Sequence, residues 1–321
     1  MKLSRQSLVL SLQRKIILLS AICYPLSAIL CGCQNRQLYK DTHALMGTFV
    51  EVTSPDSRAG KIVFEEIKRI EGLLSKYLPE SQISRLNQLG RIEAAPEVFY
   101  IISRAKEFSK QSDGAFDVTV GPLMDLWGFS RKNYNLPGES DIQAALKLAG
   151  SDKIILYPEN NVVELETHGA KIDLGAIAKG YAVDCAVDKL KKAGIKSCLI
   201  NAGGDIYCLG KKFGRPWKVA VRGPHKRAFK GSLQLVNKAV TTSGDYEQYF
   251  IKNKRRYSHI FDPQSGFPAA SGVVSATVIA EDCLTADALA TAIFVLGKEK
   301  SRALLEKFPG VTARIYEEEL K

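Results

Sequence analysis

The stretch His168–Asp184, HGAKIDLGAIAKGYAVD, constrains this chain more than any other. Its pattern predicts an apolar strand ending at Asp173, then a helix that opens across Gly175–Gly180 and runs on. A strand-to-helix turn with two glycines lets a ligand approach the backbone and points free N–H groups at it. The positive end of the helix dipole adds to this, so the geometry suits phosphate. Two common nucleotide loops are excluded. Gly180 is followed by Tyr181 rather than Lys-Ser or Lys-Thr, and the glycine spacing is not GxGxxG.

The N-terminus reads as a targeting segment. A basic stretch to Lys15 is followed by an apolar run from Ile16 to Leu30. That run is shorter than the ~20 residues needed to span a bilayer and fits the core of a secretory signal. Its end, Leu30-Cys31-Gly32-Cys33, resembles the lipobox of bacterial lipoproteins. The expectation is a signal over 1–32, lipid on Cys33 and a polar tether over 33–44. Gln34 rather than Asp after the cysteine mildly favours the outer membrane, with the inner membrane open, on the periplasmic side.

The net charge of +11 invites a nucleic-acid reading, but Lys2, Arg5, Arg14 and Lys15 fall in the leader with no acid among them. What remains suits solvated loops, including the basic stretches Lys211–Lys230 and Lys252–Arg256, and no nucleic-acid partner is expected. Besides Cys33, four cysteines lie beyond the leader: Cys185, Cys198, Cys208 and Cys283. They lack CxxC or His-paired zinc spacing and read as small buried hydrophobes. Cys198 and Cys208 flank an expected hairpin and could also face each other.

Helical periodicity appears over 61–77, after Pro96, over 176–193 and over 286–296, the last with Thr285 as cap and Gly297 as stop. Strands are expected at 45–53, 153–157, 161–166, 196–201, 205–209, 217–222, 231–236, 239–242, 246–251, 256–261 and 272–279. With no repeat or low-complexity linker, 45–321 reads as one α+β domain with mostly antiparallel sheets and packed helices.

Three more segments carry chemistry. Asn201-Ala-Gly-Gly-Asp205 is a glycine turn flanked by polar groups, readable as a hairpin turn or as backbone approaching a ligand. His259, one of four histidines, sits in Tyr257-Ser-His-Ile-Phe-Asp-Pro-Gln-Ser-Gly-Phe-Pro268. Asp287 and Thr291 are four apart on the last helix and share a face. A carboxylate and a hydroxyl are hard oxygen ligands, suited to Mg²⁺ rather than zinc.

In order along the chain, Met46-Gly-Thr48, Ala115-Phe-Asp117, Asp173-Leu-Gly-Ala-Ile-Ala-Lys-Gly-Tyr181, Asn201-Ala-Gly-Gly-Asp205, Ser258-His-Ile-Phe-Asp-Pro-Gln-Ser-Gly266 and Ala286-Asp-Ala-Leu-Ala-Thr291 resemble the ApbE family of FAD:protein FMN transferases. The resemblance covers about 45 to 315. It implies a fold related to the tunnelling fold. It also implies Mg²⁺-dependent transfer of FMN from FAD, as substrate, to a Thr or Ser of a target flavoprotein, with release of AMP. By similarity, Met46, Tyr77, Ala115, Phe116, Asp117, Asp173, Lys179 and Ile260 line the FAD site. The metal takes the Ala176 carbonyl with Asp287 and Thr291. Some members carry a second carboxylate just before that Thr, where this chain has Ala290, and Lys179 replaces a Glu of some relatives. His259 is the candidate general base, since an imidazole titrates near neutrality. The implied partner is an acceptor flavoprotein subunit of a membrane electron-transfer complex. The alternatives are a Mg²⁺-dependent FAD diphosphatase and a non-catalytic flavin-binding lipoprotein.

Overall fold

The computed structural model describes residues 37–222 and 229–318. The leader and Cys33 lie outside the described residues. Among the described residues, no helix is long and apolar enough to cross a membrane.

The centre is a seven-stranded sheet. Its strands are Tyr39–Leu45, Thr48–Ser54, Cys198–Ala202, Asp205–Leu209, Lys238–Gly244, Val273–Ala280 and Thr312–Glu317, hydrogen-bonded in that order. Every neighbouring pair is antiparallel. The helices are α1 Ala59–Leu74, α2 Gln82–Leu89, α3 Pro96–Gln111, α4 Gly121–Leu126, α5 Glu139–Leu146, α6 Ala178–Lys192 and α7 Cys283–Glu306. α1, α6 and α7 pack together over one sheet face and share the main core with it. This is the α+β arrangement expected, with mostly antiparallel sheets and packed helices.

The other face of the sheet carries a smaller core in which Cys208 and Val240 meet Trp217, Val219, Leu233 and Leu235. Strand alternation decides the cysteine question. In the hairpin Cys198 pairs with Leu209, and Leu199 with Cys208. Successive side chains point to opposite faces, so Cys198 enters the helix-covered core and Cys208 the other. All four described cysteines are free thiols. Burial pushes Cys198 and Cys208 up to about 12.

A third cluster joins α4 and α5 to the hairpin Tyr249–Lys252/Arg255–Ser258 through Leu123, Trp127, Phe129, Ile142, Phe250 and Phe261. Phe250 stacks on Tyr257 and Tyr134. This anchors the hairpin base, from which His259 follows directly.

Several local expectations change. The tether expected over 33–44 gives way at Tyr39 to an edge strand, because Tyr39–Leu45 pairs residue for residue with Thr48–Ser54. The segment before Asp173 is irregular rather than a strand, and the helix begins at Ala178 after a turn at 175–177. Asp282, not Thr285, caps α7, its side chain accepting from Thr285 N at 2.7 Å. Gly297, with a non-helical backbone at φ 80° and ψ 169°, ends the first helical stretch of α7 as expected, and a second stretch continues beyond the kink to Glu306. α2, capped by Ser81, and the strand Thr312–Glu317 were not anticipated.

Candidate active site

The glycine turn and the last helix meet. Gly180 is the third residue of α6, where the backbone N–H has no intrahelical partner. That N–H donates to Asp287 Oδ2 on α7 at 3.2 Å. The contact requires glycine, since a Cβ here would lie 2.5 Å from the Cys283 carbonyl oxygen and 3.0 Å from Asp287 Cβ. Lys179 Nζ stands 2.9 Å from Asp205 Oδ2 and 3.7 Å from Asp287 Oδ2. Thr291 Oγ1, one turn along α7, lies 3.3 Å from Ser243 Oγ. Ala176 sits in the turn before α6, four residues ahead of Gly180.

The corner is largely buried and charged. Asp205 and Asp287 are each 3% exposed. Asp205 Oδ2 meets the lysine as a charge but receives no hydrogen bond. Burial, and then the Asp205 charge, raise the Asp287 pKa against the pull of Lys179 and the Gly180 N–H. Burial alone would lower Lys179, but Asp205 and Asp287 outweigh it and hold the ammonium firmly protonated.

His259 ties the corner to the rest of the site. Its backbone N–H and its Nδ1 both lie 3.0 Å from the Gln248 carbonyl oxygen, across the base of the hairpin. A carbonyl only accepts, so Nδ1 carries the hydrogen and Nε2 keeps its lone pair. Burial lowers the His259 pKa below its ordinary 6.5. The Gln248 bond opposes that shift, and the ring feels both Lys179 and Asp173.

Asp173 is fully engaged. Its Oδ2 accepts from Lys76 Nζ at 2.7 Å, its Oδ1 from Gly175 N at 2.8 Å, and its own N–H donates to the Val118 carbonyl. Tyr77, next to Lys76, lies beyond the end of α1 and is 66% exposed. Met46 takes a left-handed backbone at φ 51°, and its N–H donates to Glu71 Oε1 of α1 at 2.8 Å.

Ala115 and Phe116 are buried. Asp117 Oδ1 accepts from Thr119 N and Oγ1 at 2.8 and 2.6 Å, and its Oδ2 from Ser151 N at 2.9 Å. Gln264 Nε2 donates to the Asp113 carbonyl at 2.8 Å, drawing the loop after Ile260 against this segment. A cavity of about 620 Å³ opens beside it, lined by Asp117, Lys106, Lys110, Gly150, Ser151 and Gln264 among others. None of its lining residues belongs to the Lys179–Asp205–Asp287 corner.

The structure therefore gathers Lys179, Asp287 and Gly180 at one corner and Asp173 with the neighbour of Tyr77 at another, with His259 within electrostatic reach of both. Met46, Ala115–Asp117 and Ile260 lie on loops outside the helices and strands. Three participants went unassigned in the sequence: Asp205, Ser243 and Lys76. Asp205 closes a motif that was visible, Asn201-Ala-Gly-Gly-Asp205, but its direction depends on the strand it opens. Lys76 and Ser243 give no local signal, since each acts on a residue far along the chain.

A buried acid–lysine–acid corner thus stands at a helix start over an antiparallel α+β frame. The ApbE family model matches residues 46–315, and the chain belongs to the ApbE family, with it to the transferases. A FAD:protein FMN transferase of Klebsiella pneumoniae is 36% identical, over 87% of this chain and 89% of that protein. One from Treponema pallidum is 34% identical, over 90% and 88%. The crystal structure of the ApbE protein of Thermotoga maritima superposes with a TM-score of 0.81 at 37% identity, over 87% of this chain and 94% of that one. The apo flavinyl transferase ApbE of Pseudomonas stutzeri gives 0.79 at 33%, over 88% and 92%.

Proposed function

We propose that this chain transfers the FMN half of FAD to a Thr or Ser hydroxyl of a target flavoprotein, with Mg²⁺, and releases AMP. One observation carries the reading. Asp287 presents a buried carboxylate whose hydrogen-bonding partner is a single backbone N–H, one helical turn from the Thr291 hydroxyl and beside the glycine turn.

The Ala176 carbonyl, the Asp287 carboxylate and the Thr291 hydroxyl form an all-oxygen set with no thiolate or imidazole, which fits Mg²⁺. Among the described residues, no three His, Cys, Asp or Glu side chains gather as a metal cluster, and this set uses only one such side chain. Mg²⁺ bound there would neutralise charge developing on the diphosphate oxygens. Asp287 and Thr291 hold that charge-neutralising position. The N-terminus of α6 and Lys179 face the anionic substrate, and the buried corner strengthens each electrostatic contact. His259, neutral with Nε2 free, takes the proton of the acceptor hydroxyl. That oxygen bonds to the FMN phosphorus, the bridging P–O bond breaks, and AMP leaves with its phosphate.

The sequence supports a location and a partner. The basic-then-apolar leader and Leu30-Cys31-Gly32-Cys33 favour a lipid on Cys33 and a periplasmic position at a bacterial membrane, the outer one slightly preferred. The partner is then an acceptor flavoprotein subunit of a membrane electron-transfer complex.

The test is to incubate the protein with FAD, Mg²⁺ and a Thr-bearing acceptor flavoprotein domain, then read flavin fluorescence on the acceptor in a denaturing gel. Labelling with stoichiometric AMP is the expected result. FMN and AMP without labelling turns the reading to hydrolysis, and bound, unchanged FAD overturns it.

A further inference from the structure

α6 and α7 are joined by a reciprocal pair of caps. Asp287, from the second turn of α7, accepts from Gly180 N in the first turn of α6 at 3.2 Å. In return Asp184, one turn further along α6, accepts from the first two backbone N–H groups of α7. Its Oδ1 takes Cys283 N at 2.8 Å, and its Oδ2 takes Leu284 N at 2.8 Å. Gly180 and Asp184 are four apart on one helix, as are Cys283 and Asp287 on the other, so each pair lies on one face. The bonds close a ring between those faces. At its centre the helices touch, with no room for a Cβ on Gly180 against the Cys283 carbonyl.

Asp184 does more than complete the cap of α7. The helix has its own cap, Asp282, which satisfies Thr285 N at 2.7 Å. Asp184 supplies a second cap from a different helix, and it places a carboxylate where burial pushes its pKa up to about 7, with Asp282 and Asp188 adding to the rise. The donors belong to α7 and the acceptor to α6, so the contact fixes something a local cap cannot: the axial register of α7 against α6. That register sets how far the Asp287 and Thr291 side chains stand from the turn holding Ala176.

We infer that Asp184 is a positioning residue, locking α6 and α7 in the register that brings the Ala176 turn and the Asp287–Thr291 face together. The consequence for Mg²⁺ rests on the cation site proposed above; the register itself does not. Supports of this kind around a metal change its affinity by roughly 10–100-fold when removed.

The experiment compares Asp184→Ala, Asp184→Asn and Asp282→Ala as full chains. Two quantities are read: Mg²⁺ affinity by titration calorimetry without flavin, and hydrogen exchange at the Gly180 amide. Both aspartates cap the same helix, so both Ala variants lose cap stability, but only Asp184→Ala should move the register. The expected result is a roughly tenfold weaker Mg²⁺ affinity and faster Gly180 exchange in Asp184→Ala, partial recovery in Asp184→Asn, and near wild-type values in Asp282→Ala. Equal losses in the two Ala variants would reduce Asp184 to an ordinary cap and overturn the inference, as would unchanged Gly180 exchange in Asp184→Ala. If the wild-type chain binds no Mg²⁺, the cation site fails, and Gly180 exchange alone decides the register. Should Asp184→Ala not fold, Asp184→Asn against Asp282→Ala gives the same comparison.

Discussion

Asp117 and Asp287 are both largely enclosed carboxylates, and burial is the main force raising the pKa of each. They differ in what answers that cost. Asp117 accepts three hydrogen bonds, two from Thr119 and one from Ser151, all from neutral groups of nearby loops. Asp287 accepts one N–H and otherwise faces a lysine already closer to Asp205. A carboxylate whose lone pairs are filled by its surroundings is built to hold a loop. One left under-filled in a buried corner is built to receive something. The cavity of about 620 Å³ lies beside Asp117, and none of its lining residues belongs to the Lys179–Asp205–Asp287 corner, so this cavity and the concentration of charge mark different places in the molecule.

Three substitutions sharpen or break this contrast. Asp287→Ala should have the largest effect. Losing several kcal/mol of charge stabilisation corresponds to at least roughly 10³-fold in flavin transfer, with Mg²⁺ dependence lost. Its melting temperature should stay near or above wild type, because a buried, poorly satisfied carboxylate is removed. Transfer within tenfold of wild type would remove Asp287 from the site.

His259→Ala comes next, at roughly 10²-fold in rate, with FAD binding retained as read by flavin fluorescence. The wild-type pH profile gives an independent check. Burial lowers the His259 pKa, so the ring stays neutral and able to accept a proton throughout the range above 6.5. The rate should decline with falling pH as the imidazole protonates, with its midpoint below 6.5. A decline already centred above 6.5 would point to a different base.

Asp117→Ala should have the smallest effect on turnover per folded molecule and a clear effect on stability. Leaving the Ser151 and Thr119 donors unanswered costs about 2 kcal/mol, seen as a lower urea midpoint. If instead Asp117→Ala abolished transfer without loss of stability, and Asp287→Ala destabilised without loss of transfer, the comparison would be inverted.

Much of the frame was legible in the sequence. The α+β class, the antiparallel strands around Asn201-Ala-Gly-Gly-Asp205 and the Asp287–Thr291 face all follow from periodicity and turn chemistry, which act within a few residues. The misreadings share one cause. Tyr39–Leu45 looks like a polar tether because an edge strand is solvated on much of its surface, and only its partner strand orders it. Thr285 looks like a helix cap because Asp282 and Thr285 are both good capping types. Which one starts α7 depends on where Asp184 and Gly180 meet the helix.

The sequence by itself determined the element types, the family and the residue types at the corner: glycine where two helices touch, oxygen ligands at helical spacing, a histidine after a hairpin. Tertiary structure alone decided the pairings. It paired Lys179 with Asp205 as well as Asp287, filled Asp173 with Lys76, turned Cys198 and Cys208 to opposite faces of the sheet, and crossed the caps of α6 and α7. The reason is range. Backbone propensity and side-chain spacing act within one element, while burial and hydrogen bonding join residues such as Gly180 and Asp287, 107 positions apart, only after the elements have packed.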